Sequence, residues 1–343
     1  MTDIKQTTVP ELVEGTPVEA ALRQAQGPVD FGALPVVRTR HWARWILSAI
    51  AGFVILQLIW SLFTTPGYDW PTFGTYFFSP AIMRGLGMTL ILTVVAGSIG
   101  FVAGGVLALM RLSKSPLLSG FAWAFIWFFR SVPLLVQVLV WFNLGYLYPT
   151  IGLGIPFTTE YFVEAETVVL VSAFAAAVLG LSLHQAAYSA EIIRGGILSV
   201  DQGQLEAAAA LGIPQHLRIT RIILPQAARS ILPNAFNEII GLLKGTSIIS
   251  VIALSELFYV AQVIYNRNQD VIPMLLVTVV WYAILTTVLS IAQFYVERFY
   301  ARGAARVLPP TPIQKAKTWV AVQWARLDEE PKPASSGSKG AGK

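Results

Sequence analysis

EAAAALGIPQHLRITRIILP, residues 206–225, is basic, broken by Gly212 and Pro214, and flanked by stretches apolar enough for a bilayer. Its reading decides the architecture. Asp201 or Ser199 just upstream can cap a short helix in QGQLEAAAALG, a run of strong helix formers that Gly212 then ends, while Pro214 starts another. Two short helices meeting at Gly212 are expected. The second, PQHLRITRIILPQAAR, sets His216, Arg218, Arg221 and Arg229 among apolar residues, a pattern suited to a surface under anionic headgroups. The first presents Ala207, Ala208, Ala209 and Ala210, small enough for another backbone to approach closely. It is either a docking surface or an Ala-rich helix of high propensity that docks on nothing.

Composition places this stretch in a membrane protein. Of 343 residues, 55% are hydrophobic and only 13% charged, with a mean hydropathy of +0.62, well away from soluble domains. The absence of Cys excludes disulfides, thiolate metal sites and Cys nucleophiles. A net charge of +5 does not point to nucleic acid, because the basic residues fall between apolar runs rather than on one motif.

A helix of about 20 apolar residues crosses the hydrocarbon and satisfies its own backbone hydrogen bonds. An all-α fold of about six spans follows: Trp45–Phe63, Leu86–Met110, Ser131–Tyr148, Val168–Ala190, an imperfect one over Asn234–Tyr259 interrupted by Glu238 and Lys244, and Val271–Val296. With the N-terminus inside, the outer loops contain only Arg84 and Arg267 of the 24 basic residues, and only Arg130 and Lys244 fall in or near the bilayer. Short cytoplasmic loops retain Lys and Arg, so both termini are expected in the cytoplasm. The loop Thr150–Glu166, with three Glu and no Lys or Arg, fits the outer side. GFAWAFIWFFRSVP (120–133) reads either as an interfacial helix before Pro133 turns the chain inward or as part of one long tilted helix.

Residues 1–42 form a tail without apolar periodicity, 43–64 the first span, and 301–343 a second tail in which 313–327 can make an interfacial helix with Trp319 and Trp324. The inner segment from Glu191 to Pro233 is far longer than an ordinary connection, as functional loops are.

The quoted stretch resembles the EAA motif of permease subunits of bacterial ABC importers: Glu-Ala-Ala, three residues, Gly, nine residues, Ile, one residue, Leu-Pro. Here these are Glu206, Ala207, Ala208, Gly212, Ile222, Leu224 and Pro225. GMTLILTVVAGSIGFVAGGVLALMR (87–111), RSVPLLVQ (130–137), HQAAYSAEIIRGGILSVDQGQ (184–204) and the run 223–257 extend the similarity to the polar amino-acid uptake branch, over about residues 85–300. The chain departs from that family in prefixing one span to the usual five, and in reading Arg130-Ser131-Val132-Pro133 where Arg-Gly-Thr-Pro is common.

The resemblance implies a type I importer permease fold in which segment 199–229 couples to an ATPase. Two permeases, identical or sister chains, would form the pathway, two cytoplasmic subunits would bind ATP and Mg²⁺, and an extracytoplasmic amino-acid-binding protein would deliver substrate. Glu206 would anchor the coupling segment and Gly212 permit its turn. The chain itself is expected to be no enzyme and to hold no cofactor or metal: GLLKGTS (241–247) has the letters of a phosphate-cradling loop in the wrong order, and no HExxH or GxSxG occurs.

Ionisable and polar groups in a span usually face protein or water, which singles out three sets of pathway candidates. His184, Tyr188 and Glu191 share a helical face, beside Gln185; Glu191 either meets the substrate's ammonium or side chain, or is merely paired with Arg194. Lys244, Thr246, Ser247 and Ser250 break the fifth span and either bind the substrate's carboxylate or serve helix packing. Arg130 and Gln137 lie seven apart; Arg130 can equally snorkel to the interface. The expected cargo is a polar amino acid, the alternatives being another small polar solute such as an opine, or a channel or signalling protein unrelated to ABC importers.

Overall fold

A computed structural model of the chain describes residues 42–154, 161–301, 314 and 317–322. The tails expected at 1–42 and 301–343 lie almost wholly outside these residues, though 317–322 is helical. Helix α1, Trp42–Thr64, is apolar on every side and buries no residue, as suits a helix surrounded by lipid. It forms a compact unit of its own that ends at Thr65.

The second unit starts at Pro66. It comprises α2 (Trp70–Phe77), α3 (Pro80–Arg111), α4 (Pro116–Ser131), α5 (Leu134–Phe142), a hairpin of β1 (Thr150–Gly154) and β2 (Tyr161–Glu166), α6 (Ala173–Leu198), α7 (Gln202–Ala210), α8 (Gln215–Ile252), α9 (Leu257–Asn268) and α10 (Val271–Ala301). Serine starts the two helices that form the centre: Ser79 and Ser172 accept from the backbone N–H of Ile82 and Ala175 at 3.4 and 3.3 Å. The strands are antiparallel, with Thr150 opposite Glu166 and a bulge at Leu153/Gly154, where the sequence offered only a loop.

Among the described helices, α1, α3, α8 and α10 are long and apolar enough to cross a membrane, and α4 with α5 make a fifth if the bent pair is one span. Helix α6 has the length, 26 residues, but Ser182, His184, Gln185 and Ser189 dilute its apolar content. Those groups are tolerated because α6 runs through the middle of the bundle.

Three expected bounds change. The span Ser131–Tyr148 is replaced by α4 and α5, which meet at 101°. Pro133 forces this: Val132 before it is extended, and α5 begins after it. The long inner loop is mostly helix, because α6 continues to Leu198 and the second of the two short helices is the start of the 38-residue α8. The fifth span ends at Ile252 instead of Tyr259; Ala253 takes left-handed backbone (φ 58°) and α9 leaves as a separate helix.

What sets the bundle is how closely α3 and α6 approach. A Cβ at Gly100 would lie 2.6 Å from Gln185 Cβ and 2.9 Å from the Ser182 carbonyl oxygen; one at Gly104 would lie 2.6 Å from Ser189 Cβ and 2.9 Å from the Ala186 carbonyl oxygen. No side chain fits either place. Glycines on α6 repeat the device outward, Gly180 against Val138 of α5 and Gly196 against Ile231 of α8. Lipid is as apolar as a protein core, so close backbone approach, not burial from water, holds such helices together. Leu92, Ala96, Val138, Ala177, Leu181 and Leu242 fill the space beside the crossing.

This fit predicts opposite signs for one substitution on one helix. A Cβ at Gly87 meets nothing within 4 Å, so Gly87→Ala should leave the thermal midpoint unchanged or raise it, by roughly 0.5–1 kcal/mol of helix propensity. Gly104→Ala should lower it, by about 1–3 kcal/mol of overpacking. Thermal unfolding of both variants in the same detergent measures the difference.

Candidate functional site

Segment 199–229 is built from local rules. Asp201 Oδ1 accepts from the Gln204 N–H at 3.0 Å and starts α7. At the other end Ile213 N–H donates to the Ala208 carbonyl (3.1 Å) and Gly212 N–H to the Ala209 carbonyl (3.0 Å), with Gly212 at φ +68°. This is a Schellman termination, whose left-handed residue costs anything but Gly about 1–2 kcal/mol. Helix α7 is thereby fixed in direction before α8 begins. The Gln226 amide donates to Gln204 Oε1 at 2.7 Å and ties the two helices.

Along α7 only Ala208 is buried; Glu206, Ala207, Ala209 and Ala210 are exposed, and Leu211 is 79% exposed. Ile222 is half-buried, while Leu224 and Pro225 are exposed. The Leu-Pro of the motif also shapes the backbone. Pro225 has no N–H for the Arg221 carbonyl and its ring would collide with it; Arg218–Ile223 accordingly widens into a π-turn.

Five of the pathway candidates meet where α4, α5 and α6 converge. The Arg130 guanidinium carbon sits 5.1 Å from the centroid of the Tyr188 ring, and the His184 and Tyr188 rings are 4.8 Å apart. Gln137 Nε2 lies 3.4 Å from His184 Nδ1 and donates to the carbonyls of Phe129 (2.9 Å) and Val132 (2.8 Å). Gln137 thus serves carbonyls that the elbow between α4 and α5 leaves open. Its own Oε1 is buried without a partner among the described residues.

Glu191 is paired with Arg194. Arg194 donates to its Oε2 from Nη2 at 2.7 Å and from Nε at 3.2 Å. Both line a cavity of about 450 Å³ with Arg111, Trp127, Arg130 and Tyr188. Gln185 turns the other way, donating to Ser189 Oγ at 3.0 Å beside the Gly100 crossing.

The α8 candidates lie apart from this group, across the first turn of α5, where Gly245 faces Leu134. Thr246 is buried and donates to the Leu243 carbonyl at 2.7 Å; Ser247 donates to that of Lys244 at 2.8 Å. The tight turns of Thr246–Ile252 follow at once. Lys244 is exposed, and its ammonium has no hydrogen bond or ion pair among the described residues.

One buried carboxylate escaped the sequence reading. Glu256 is wholly buried and caps α9, accepting from the N–H groups of Tyr259 (2.6 Å) and Phe258 (2.9 Å) and from Tyr282 Oη (3.3 Å). Thr89 Oγ1 accepts from the Leu257 N–H at 3.1 Å, and Thr246 Oγ1 lies 3.5 Å from Tyr282 Oη. One acid therefore gathers α3, α8, α9 and α10. The available signal was its cost: a carboxylate within an apolar run is expensive unless a structure uses it.

A short capped helix carrying the spacing of the motif intact, on a bundle of long apolar helices, is the arrangement expected of a transport permease. Residues 99–302 match the family described as "Binding-protein-dependent transport system inner membrane component", and the chain belongs to that family. It is a multi-pass membrane transport subunit with the type I importer permease fold. It is 39% identical to the "Arginine transport system permease protein ArgU" of Corynebacterium glutamicum over 278 residues, 78% of this chain and 84% of that one. With the "Glutamate/aspartate import permease protein GltK" of Escherichia coli O6:H1 the identity is 36% over 222 residues, 64% and 93% of the two chains. Among solved structures, an amino acid ABC transporter crystallised with histidines superposes with a TM-score of 0.55 at 35% identity, over 64% of this chain and 94% of that one.

Removing the Glu256 carboxylate strands the donors it serves, each about 1–3 kcal/mol when left unpaired in a buried place. Glu256→Ala should therefore lower the thermal midpoint and the yield of monodisperse protein more than Glu256→Gln, which keeps one acceptor oxygen. Equal losses in the two variants would show that the cap does not hold the joint.

Proposed function

We propose that the chain is the membrane-spanning subunit of an ATP-driven importer of polar amino acids. The relatives named for arginine and for glutamate and aspartate carry opposite side-chain charges, so the shared feature of such cargo is the α-amino acid group. Both termini face the cytoplasm on this reading, in agreement with the placement of Lys and Arg. Segment 199–229 then meets a cytoplasmic ATPase, which binds ATP and Mg²⁺, and a binding protein delivers substrate from outside.

The observation that carries the proposal is the rigid join at Gly212. A helix that offers exposed alanines is fixed in direction by its own termination and runs into α8, the helix whose other end holds the polar break. Movement of a docked partner is thereby movement of the pathway wall, a two-state element biased from one end.

On the membrane side, Lys244 supports a pathway along α8. An exposed ammonium in a helix that crosses lipid is costly, about 2.5–3.5 kcal/mol on insertion scales, unless that face meets water, substrate or a second permease. Ser247 and Ser250 near it, with Gln137 on α5 and His184 on α6, are the groups assigned to the substrate's carboxylate and ammonium; Thr246, wholly buried on the Leu243 carbonyl, lines that stretch from behind. Glu191, already neutralised by Arg194, and Gln185, committed to the α3 contact, are assigned no part in recognition.

Glu206→Lys and Gly212→Asp, each produced with the cognate ATPase, should reduce ATP-driven uptake by roughly tenfold or more while leaving the permease folded, the first by repelling its anchor and the second by straining the turn. Unchanged uptake in both would remove the coupling role. Competition of labelled arginine uptake by unlabelled amino acids tests the cargo: uptake insensitive to every amino acid would overturn it.

A further inference from the structure

The cavity between the ends of α3, α4 and α6 has the wrong charge for an amino group. Arg111 is the last residue of α3, Arg130 is next to last in α4, and Arg194 is four residues from the end of α6. All three arginines line the same space of about 450 Å³, where the one lining carboxylate is Glu191, paired with Arg194. The side chains that line the cavity therefore leave a positive surplus, which Glu238 on α8, near Arg130 but not lining the cavity, and the helix C-termini reduce. Arg111 is held in place by Ser119, whose Oγ accepts from Nη1 at 3.0 Å.

The surroundings say where an anion would come from. Helix α4 turns by 101° from the crossing direction of α5. It presents Trp123 and Trp127 at 54% and 59% exposure, stacked with ring centroids 6.3 Å apart, against the cavity. Exposed Trp pairs of this kind favour the headgroup level of a bilayer. The cavity lies toward the end of α6 that leads into α7, so the leaflet concerned is the one on the coupling-segment side. Forked guanidiniums match phosphate oxygens in pairs, and basic pockets between helices on the cytoplasmic side suit anionic headgroups.

We propose that this cavity binds a phosphate oxyanion, supplied by the headgroup of an anionic lipid in that leaflet. The site does not depend on which solute is carried. It gives the elbow of α4 and α5, which Gln137 latches, a second hold through Arg130, so the lipid composition of one leaflet bears on the geometry of the bundle.

Native mass spectrometry of the full-length chain released from nanodiscs of mixed phosphatidylglycerol and phosphatidylcholine counts the lipids retained. Wild type should keep phosphatidylglycerol in preference. Arg111→Gln should keep roughly tenfold less, as expected for the loss of one charge-assisted contact, and Arg111→Lys an intermediate amount. If phosphatidylglycerol is not retained, yet inorganic phosphate raises the thermal midpoint of wild type and not of Arg111→Gln, the site stands with free phosphate as its source. Equal retention of the two lipids without a phosphate response, or retention and response unchanged in Arg111→Gln, overturns it. Should Arg111→Gln not fold, displacement of phosphatidylglycerol from wild type by inorganic phosphate supports the site, and its absence together with no phosphate response overturns it.

Discussion

The missing side chains at Gly100 and Gly104 are the constraint from which the rest of the bundle follows. They let α3 and α6 touch backbone to backbone, closer than any Cβ permits. Once α6 is central it is covered along its length, by α5 at Gly180 and by α8 at Gly196. That cover is what allows His184, Gln185 and Ser189 to sit in a helix at membrane depth. A polar central helix is thus a consequence of tight packing rather than a departure from it.

The same shortage of water explains two side chains that look unrelated. Bending a chain within or beside a bilayer frees backbone groups that no solvent can satisfy, and each bend here has an attendant residue. Gln137 donates to carbonyls at the elbow before α5, and Glu256 accepts from the N–H groups that open α9. One repairs a helix end and the other a helix start, with the donor and acceptor roles reversed accordingly. Neither bend would be affordable without its partner.

Segment 199–229 was legible because its signals are local. Asp201, Gly212 and Pro214 dictate start, stop and restart through caps and backbone conformation that need no neighbours, and the structure follows all three. The apolar runs fixed which segments are helical but not their ends. Val132 and Ala253, where the chain turns, carry no special composition; Val132 is extended because Pro133 follows it, and Ala253 takes left-handed backbone that no local signal announces. The sharing of a face by His184, Tyr188 and Glu191 was readable from spacing alone, whereas what that face meets was not. Arg130, Arg111 and Arg194 come from three separate helix ends, and no sequence pattern links them. Gln185 shows the converse: adjacent to His184 in sequence, it belongs to the opposite contact.

Helix α8 has 38 residues, about 57 Å at 1.5 Å per residue, against a hydrocarbon layer of about 30 Å. Nearly half of that length is therefore in excess of what a perpendicular crossing needs. A helix of that length is stiff only where its hydrogen bonding is regular, and the α pattern is interrupted at the π-turn Arg218–Ile223, at Pro233 and in the tight turns of Thr246–Ile252. Of these, the π-turn is nearest to α7. On the proposed coupling role, the proline that imposes the turn would thus set the compliance of the linkage: how much of a partner's stroke would be absorbed as bending before any of it arrived at the pathway.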